Sequence, residues 1–196
     1  GGRMVEQNDL SKVGVSELFT TMMDEDTKLH TAEEMSVLLD KLGSSISINT
    51  TLDNTIITVR TLKKNLKPTL ALMEERLLSP KFTSDAFDRI KNKAIEDIKN
   101  SKTNAANVAS QAYDMMLYGP KNILGQPSSG TEATVAKITL ADIEMYYKKY
   151  ISRNGANIIV VGDIDKAGMT AITTSLMKLP NKAVNLPILP KAMTSA

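Results

Sequence analysis

The sequence predicts an α+β fold, a mainly antiparallel sheet packed against helices, and three observations predict it. Apolar residues recur at helical spacing through most of the chain. The period switches to two between Ser45 and Leu62, around a turn-forming Asp53-Asn54 pair. Near the end, Asn157-Ile158-Ile159-Val160-Val161 is a short continuous apolar run closed by Gly162-Asp163, which reads as a buried strand.

Taken in order, residues 11–24 place Val15, Leu18, Phe19, Met22 and Met23 on one helical face. Residues 31–42 repeat the pattern with Met35, Leu38, Leu39 and Leu42. Thr31 with Glu33 and Glu34 forms a capped, acidic first turn, and Gly43 ends that helix. Ser45 to Asn49 alternates, and Thr55 to Leu62 is rich in β-branched residues, so the two make an antiparallel hairpin. Leu66, Leu70, Met73 and Leu77 mark a helix stopped by Ser79-Pro80. Phe87, Ile90, Ala94 and Ile98 mark a longer one, from about Ser84 to Lys102. A further helix runs from Asn104 to Tyr118 and closes at Gly119-Pro120; residues 121–131 are a loop by composition. Thr139 caps a helix reaching Tyr150, and residues 165–179 form the last one. Asn181 to Ala196, with Pro187 and Pro190, reads as a linker.

Composition narrows the function. A chain of 196 residues, 42% hydrophobic, buries one sizeable core. With 24 basic and 22 acidic side chains and only 4% aromatics, it has neither a cationic block nor a stacking surface, so no nucleic-acid partner is expected. The lack of cysteine excludes disulfides, thiolate metal sites and cysteine nucleophiles. The single histidine, His30, means that any zinc site would need almost all-carboxylate ligation. No apolar run approaches the ~18 residues of a membrane span. Gly1-Gly2-Arg3-Met4 carries no secretory-signal core, and a start without initiator methionine marks the chain as an expected piece of something longer.

Two segments carry a resemblance. Gly14-Val15-Ser16-Glu17-Leu18-Phe19-Thr20-Thr21-Met22-Met23-Asp24-Glu25-Asp26-Thr27 aligns without a gap with a helix reading G-L-A-H-F-L-E-H-M-x-F-x-G-T. Thr139-Leu140-Ala141-Asp142-Ile143, the tyrosine-rich Tyr146 to Tyr150 and the run ending Val160-Val161-Gly162-Asp163 match a second conserved block. Leu42-Gly43, Leu78-Ser79-Pro80, Tyr118-Gly119 and Gly125-Gln126-Pro127 recur between them in the same order. Over roughly residues 10–180 the chain resembles the insulinase/pitrilysin-type zinc peptidases, the inverzincins that include the mitochondrial processing peptidase. The resemblance implies a LuxS/processing-peptidase-like two-layer domain over 1–180, with 181–196 linking it toward a following subdomain.

In that family two histidines four residues apart ligate zinc, and the glutamate just before the second activates the metal-bound water. Here the three positions hold Glu17, Thr20 and Thr21. Threonine hydroxyls are poor zinc ligands and no base stands at position 20, so neither catalytic residues nor a bound metal is expected. The family's third ligand falls at about Asp97, beside Glu96, which is expected to be solvated helix surface. The resemblance also places the family's opening strand before Gly1-Gly2. A sheet lacking that strand would be filled by a symmetric partner or by the tail folding back, with a homodimer the preferred filler.

Other residues take plain readings. His30 is expected to face solvent, and Lys91, Lys93, Lys99 and Lys102 to form a solvated face. Met22-Met23 and Met115-Met116 are expected to pack, and Ser128-Ser129-Gly130 to be a turn. By the resemblance, the chain is the first subdomain of a zinc-less half. It would wall a chamber enclosing unfolded peptide for a zinc-bearing catalytic half, with no activity of its own. The alternative is a non-enzymatic structural subunit resembling the core proteins of respiratory complexes. The resemblance favours a bacterial protein of the periplasm or cell envelope.

Overall fold

The fold was described from a computed structural model, which describes residues 1–191. Eight helices and one hairpin follow one another: α1 Val15–Met22, α2 Ala32–Leu42, β1 Ser45–Thr50, β2 Thr55–Arg60, α3 Leu66–Leu78, α4 Ser84–Ser101, α5 Ala105–Tyr118, α6 Glu132–Lys137, α7 Leu140–Tyr150 and α8 Lys166–Met177. The α+β class holds, with helices dominating and β1–β2 the sheet among the described residues.

α1 is the hub. It packs against α7, α4 and β1, and Phe19, Met22 and Met23 on its inner face are at most 1% exposed. Phe19 stacks on Tyr146 of α7 with ring centroids 4.7 Å apart. Met35, Leu77 and Ile143 complete the same core from α2, α3 and α7. The hairpin pairs in antiparallel register from Ser45↔Arg60 to Thr50↔Thr55. Its alternation works as the period of two requires: Ile46 and Ile48 are buried, while Ser45, Ser47 and Asn49 face out.

The helix starts are locally encoded. Thr31 and Glu34 exchange hydrogen bonds as a capping box, and Gly43 closes α2 in the left-handed region at φ 55°. Thr139 and Asp142 form the same box on α7. Before α1, the expected helix over 11–24 is shorter at its start. Leu10–Lys12 is a 3-10 turn, and Gly14 takes φ 103°, which breaks the helical path.

The structure departs from the sequence expectations in four places. Asn157 to Val161 is not a strand: Ile159 and Val161 are 87% and 92% exposed, and no ladder reaches the run among the described residues. A strand needs a paired edge as well as apolar side chains, and none is present there. α6 was not anticipated, because six residues are too few to show a period, although Thr131 caps it with Thr134. The loop 121–131 is an anchor, with Asn122 and Ile123 at most 1% exposed and a 3-10 turn over Ile123–Gly125. Finally, Met115 and Met116 are exposed rather than packed.

The N-terminal residues cross the hairpin turn. The Gly2, Arg3 and Met4 amides donate to the Asp53, Thr51 and Leu52 carbonyls at 3.0, 2.8 and 2.7 Å. A Cβ on Gly2 would stand 2.4 Å from the Asn54 nitrogen and the Thr51 oxygen, so only glycine allows this approach. Residues 181–191 have no regular structure and fold back toward the same end. Val184 and Leu186 methyls lie within 3.6 Å of the Cβ position of Gly1, and the Asn122 side-chain amide donates to the Pro190 carbonyl at 2.9 Å. Residues 192–196 of the expected linker lie outside the described residues.

Candidate functional site

The resemblance points to the outer face of α1, and the structure places all three motif positions there. Glu17 and Thr21 are exposed, while Thr20 is 7% exposed. Thr20 and Thr21 each donate their hydroxyl to the Glu17 carbonyl, at 2.9 and 3.1 Å. Hydroxyls bound back to their own helix have turned their donors inward, the usual resting state of threonine on a helix. A zinc ion needs strong anionic or imidazole donors, and a water activated on it needs a base. Glu17 is the one carboxylate at the three positions, and these residues do not fit the metal.

Asp97, at the place of the family's third ligand, does not join them. It lies on the exposed side of α4, and its carboxylate pairs with Lys93 one turn back at 3.1 Å. Glu96 is likewise exposed. Among the described residues no three His, Asp or Glu side chains converge as a metal site.

What occupies this face is a polar pocket of about 320 Å³, bounded by Arg3, Glu17, Thr20, the β1 end at Asn49 and Thr50, and Ser128. Although Glu17 keeps contact with solvent, partial enclosure by the pocket walls raises its carboxyl above its ordinary pKa, and Arg3 offsets this only in part. Arg3 itself is spent on the fold. Its guanidinium donates to the Ile123 carbonyl at 2.8 Å and to the Gln126 carbonyl, tying the N-terminus to the buried 122–126 segment.

Sequence reasoning missed the residue that seats α1. Glu6 is 3% exposed and accepts from the Gly14 amide at 3.2 Å, the Ser16 amide at 2.8 Å and the Ser16 hydroxyl at 2.6 Å. It caps the positive end of α1 from eight to ten residues upstream, a span outside any local capping pattern. Burial raises its pKa, and the Ser16 and Gly14 hydrogen bonds pull the other way.

The remaining candidates separate. His30 is half-buried and bonds Glu75 through Nδ1 at 3.0 Å, so it pins the 27–30 turn to α3 rather than facing solvent. Lys91 also departs from the solvated-face reading. Its ammonium caps the end of α6 through the Ala136 and Ile138 carbonyls, both at 2.7 Å. Lys99 and Lys102 meet Glu132 at the start of the same helix. Gly130 closes the 127–130 turn with φ 77° and an amide bond to the Pro127 carbonyl, as a plain turn requires.

The insulinase (peptidase family M16) model matches residues 1–126. The non-peptidase homolog YmxG of Helicobacter pylori is 25% identical over 164 residues, covering 84% of this chain and 37% of its own length. The probable zinc protease PqqL of Escherichia coli is 27% identical over 189 residues, 90% of this chain and 20% of its own. The crystal structure of a peptidase M16 inactive domain from Pseudomonas fluorescens superposes with a TM-score of 0.87 at 23% identity, over 98% of this chain and 47% of that one. The chain therefore spans less than half the length of each of these relatives. The family model covers well over half of the chain, and the chain belongs to the insulinase family, peptidase family M16.

Proposed function

We propose that this chain is a non-catalytic subdomain of a zinc-peptidase-type protein. It forms part of the wall of a chamber where an H-x-x-E-H-bearing half cleaves unfolded peptide. The observation that carries the reading is the helix α1, kept in place with its metal-binding positions held by Glu17, Thr20 and Thr21 and both hydroxyls bound to the Glu17 carbonyl. A surface that keeps its shape after losing its chemistry serves enclosure and docking, which supply proximity and water exclusion. Zinc belongs to the partner half. Residues 1–180 form the subdomain and 181–196 lead toward the next one. Similarity to PqqL, whose structure is described as that of a periplasmic protease, supports a periplasmic or envelope setting. A sheet of two strands among the described residues supports the expected pairing of the free chain with a second copy.

The second reading, a structural subunit with no part in proteolysis, is favoured by the similarity to a homolog called non-peptidase. One experiment separates them. The purified chain is mixed with the H-x-x-E-H-bearing half encoded in the same genome, and cleavage of an unfolded peptide is followed with and without chelator. The proposal expects no cleavage by the chain alone and a chelator-sensitive gain on mixing. Cleavage by the chain alone would overturn it, and no gain on mixing favours the structural subunit.

A further inference from the structure

Of the asparagines in the chain, one alone, Asn154, is followed by glycine. Asparagine is a thermolabile side chain, because the backbone nitrogen of the next residue can attack its amide carbon and close a five-membered imide. A side chain on that next residue hinders the approach, and glycine has none. In a folded protein the local structure then decides whether the ring closes. At Asn92 and Asn100 of α4 and Asn107 of α5 the following backbone nitrogen is held in the helical ladder. Asn122 is 1% exposed, and Asn104 spends its side-chain oxygen on the Ala106 and Asn107 amides.

None of these restraints acts at Asn154. Asn154 and Gly155 are exposed, in a turn that the Ala156 amide closes on the Arg153 carbonyl at 3.1 Å. Gly155 takes φ 71°, which glycine enters without steric cost, and a Cβ placed on it would have no neighbour within 4 Å. Its amide donates no hydrogen bond among the described residues. The Asn154 side-chain nitrogen has one partner, Oδ1 of Asn181 at 3.3 Å, beyond the usual hydrogen-bond range. The attacking nitrogen and the leaving group are both loosely held.

The same turn has a structural duty. The Ser152 hydroxyl lies 3.0 and 2.7 Å from the Pro180 and Lys182 carbonyls and accepts from the Lys182 amide at 2.9 Å. The Arg153 amide donates to the Pro180 carbonyl at 2.9 Å, and the Asn154 amide to the Ser152 hydroxyl at 3.1 Å. Residues 152–154 thus clip residues 180–182 to the end of α7.

We propose that Asn154 is a self-modification site, converted in the folded protein through a succinimide to isoaspartate and aspartate, and that the change loosens the clip on 180–182. The Gly155 nitrogen, its proton lost to solvent base, bonds to Cγ of Asn154, and the side-chain nitrogen leaves as ammonia. Water then opens the ring at either carbonyl. Opening at Cγ gives aspartate. Opening at the main-chain carbonyl gives isoaspartate, whose backbone runs through Cβ and Cγ, carries one extra methylene and leaves a free α-carboxyl. Either product adds a negative charge to a chain of net charge +2, and the isoaspartyl form lengthens the backbone beside Ser152 and Arg153. The new α-carboxyl belongs to the substrate class of carboxyl methyltransferases.

The test ages the purified full-length protein, folded, at neutral and at mildly alkaline pH. Peptide mapping follows each asparagine, and methyl transfer from S-adenosylmethionine by an isoaspartyl methyltransferase counts the isoaspartate. The expected result is both products at 154, at a rate that rises with pH because the attacking nitrogen must lose its proton. That rate should be at least about tenfold above that of the Asn100-Ser101 step in α4, and within about tenfold of the rate at 154 in the urea-unfolded protein. Hydrogen exchange at the Arg153 and Lys182 amides should quicken on ageing, and stay constant in Asn154→Gln, whose longer side chain closes a ring far more slowly. Aspartate without isoaspartate would mean direct hydrolysis and overturn the proposal. A rate at 154 no faster than at Asn100, or more than about tenfold below that of the unfolded protein, would do the same. So would exchange at Arg153 and Lys182 that ageing leaves unchanged.

Discussion

Replacing Glu6 with alanine should destabilise the domain by loosening the seat of α1. The substitution strips the acceptor from two backbone amides and one hydroxyl, those of Gly14 and Ser16, within a region where Ser16 is 0% exposed. Each buried donor left unpaired costs about 1–3 kcal/mol. Against that stands the relief of no longer burying a carboxylate, the same cost that raises its pKa. A net loss of about 2–4 kcal/mol is expected, in line with the upper range for lost helix caps. For a chain of this size that is roughly 4–16 °C in Tm. Urea unfolding followed by circular dichroism gives the value directly, with an unchanged slope showing that the unfolded state is the same. The pH dependence supplies a second check. Because the folded pKa of Glu6 is raised, its contribution is fully present below the unfolded value near 4.3 and fades as pH climbs through the folded pKa. The stability of the native chain relative to the non-titrating Glu6→Gln should therefore be greatest at acid pH and decline toward neutrality. A loss under about 0.5 kcal/mol for Glu6→Ala would refute the capping role, whereas a difference that grows with pH would mean that the Ser16 and Gly14 hydrogen bonds outweigh the cost of burial.

Two further outcomes follow from the packing around α1. Phe19→Ala removes a 0% exposed ring stacked on Tyr146 and should lower stability by about 3–5 kcal/mol in the same urea experiment, more than any surface change on α1. Asp142 behaves oppositely to Glu6. Burial alone would raise its pKa, but the bonds from Lys12 and from Thr139 outweigh it and leave it lowered. Its contribution is thus present above the unfolded pKa and lost as pH falls through the folded one, so the penalty of Asp142→Asn should shrink on acidification.

Much of this protein was legible in the chain itself, for local reasons. Thr31 with Glu34, and Thr139 with Asp142, are capping boxes written within four residues, and the structure forms both. The alternation at Ile46 and Ile48 set the face of the hairpin. Such features depend on neighbours in sequence, and neighbours in sequence are visible without a fold. The misreadings share the opposite cause. Asn157 to Val161 has strand composition, but a ladder is a property of two segments, and no second segment lies beside it among the described residues. The methionines of α5 have core composition, but no residue of that helix is buried, and only Asp114 and Tyr118 are partly covered. Glu6 and Lys91 look like ordinary surface charges in a polar stretch. Only chain folding brings Glu6 under the amides of Gly14 and Ser16, and Lys91 to the carbonyls of Ala136 and Ile138, across 8 to 47 residues. Composition and periodicity determined the kind of elements. Tertiary packing decided which charges are structural and which apolar side chains stay exposed, because burial belongs to the assembled chain and not to any residue in it.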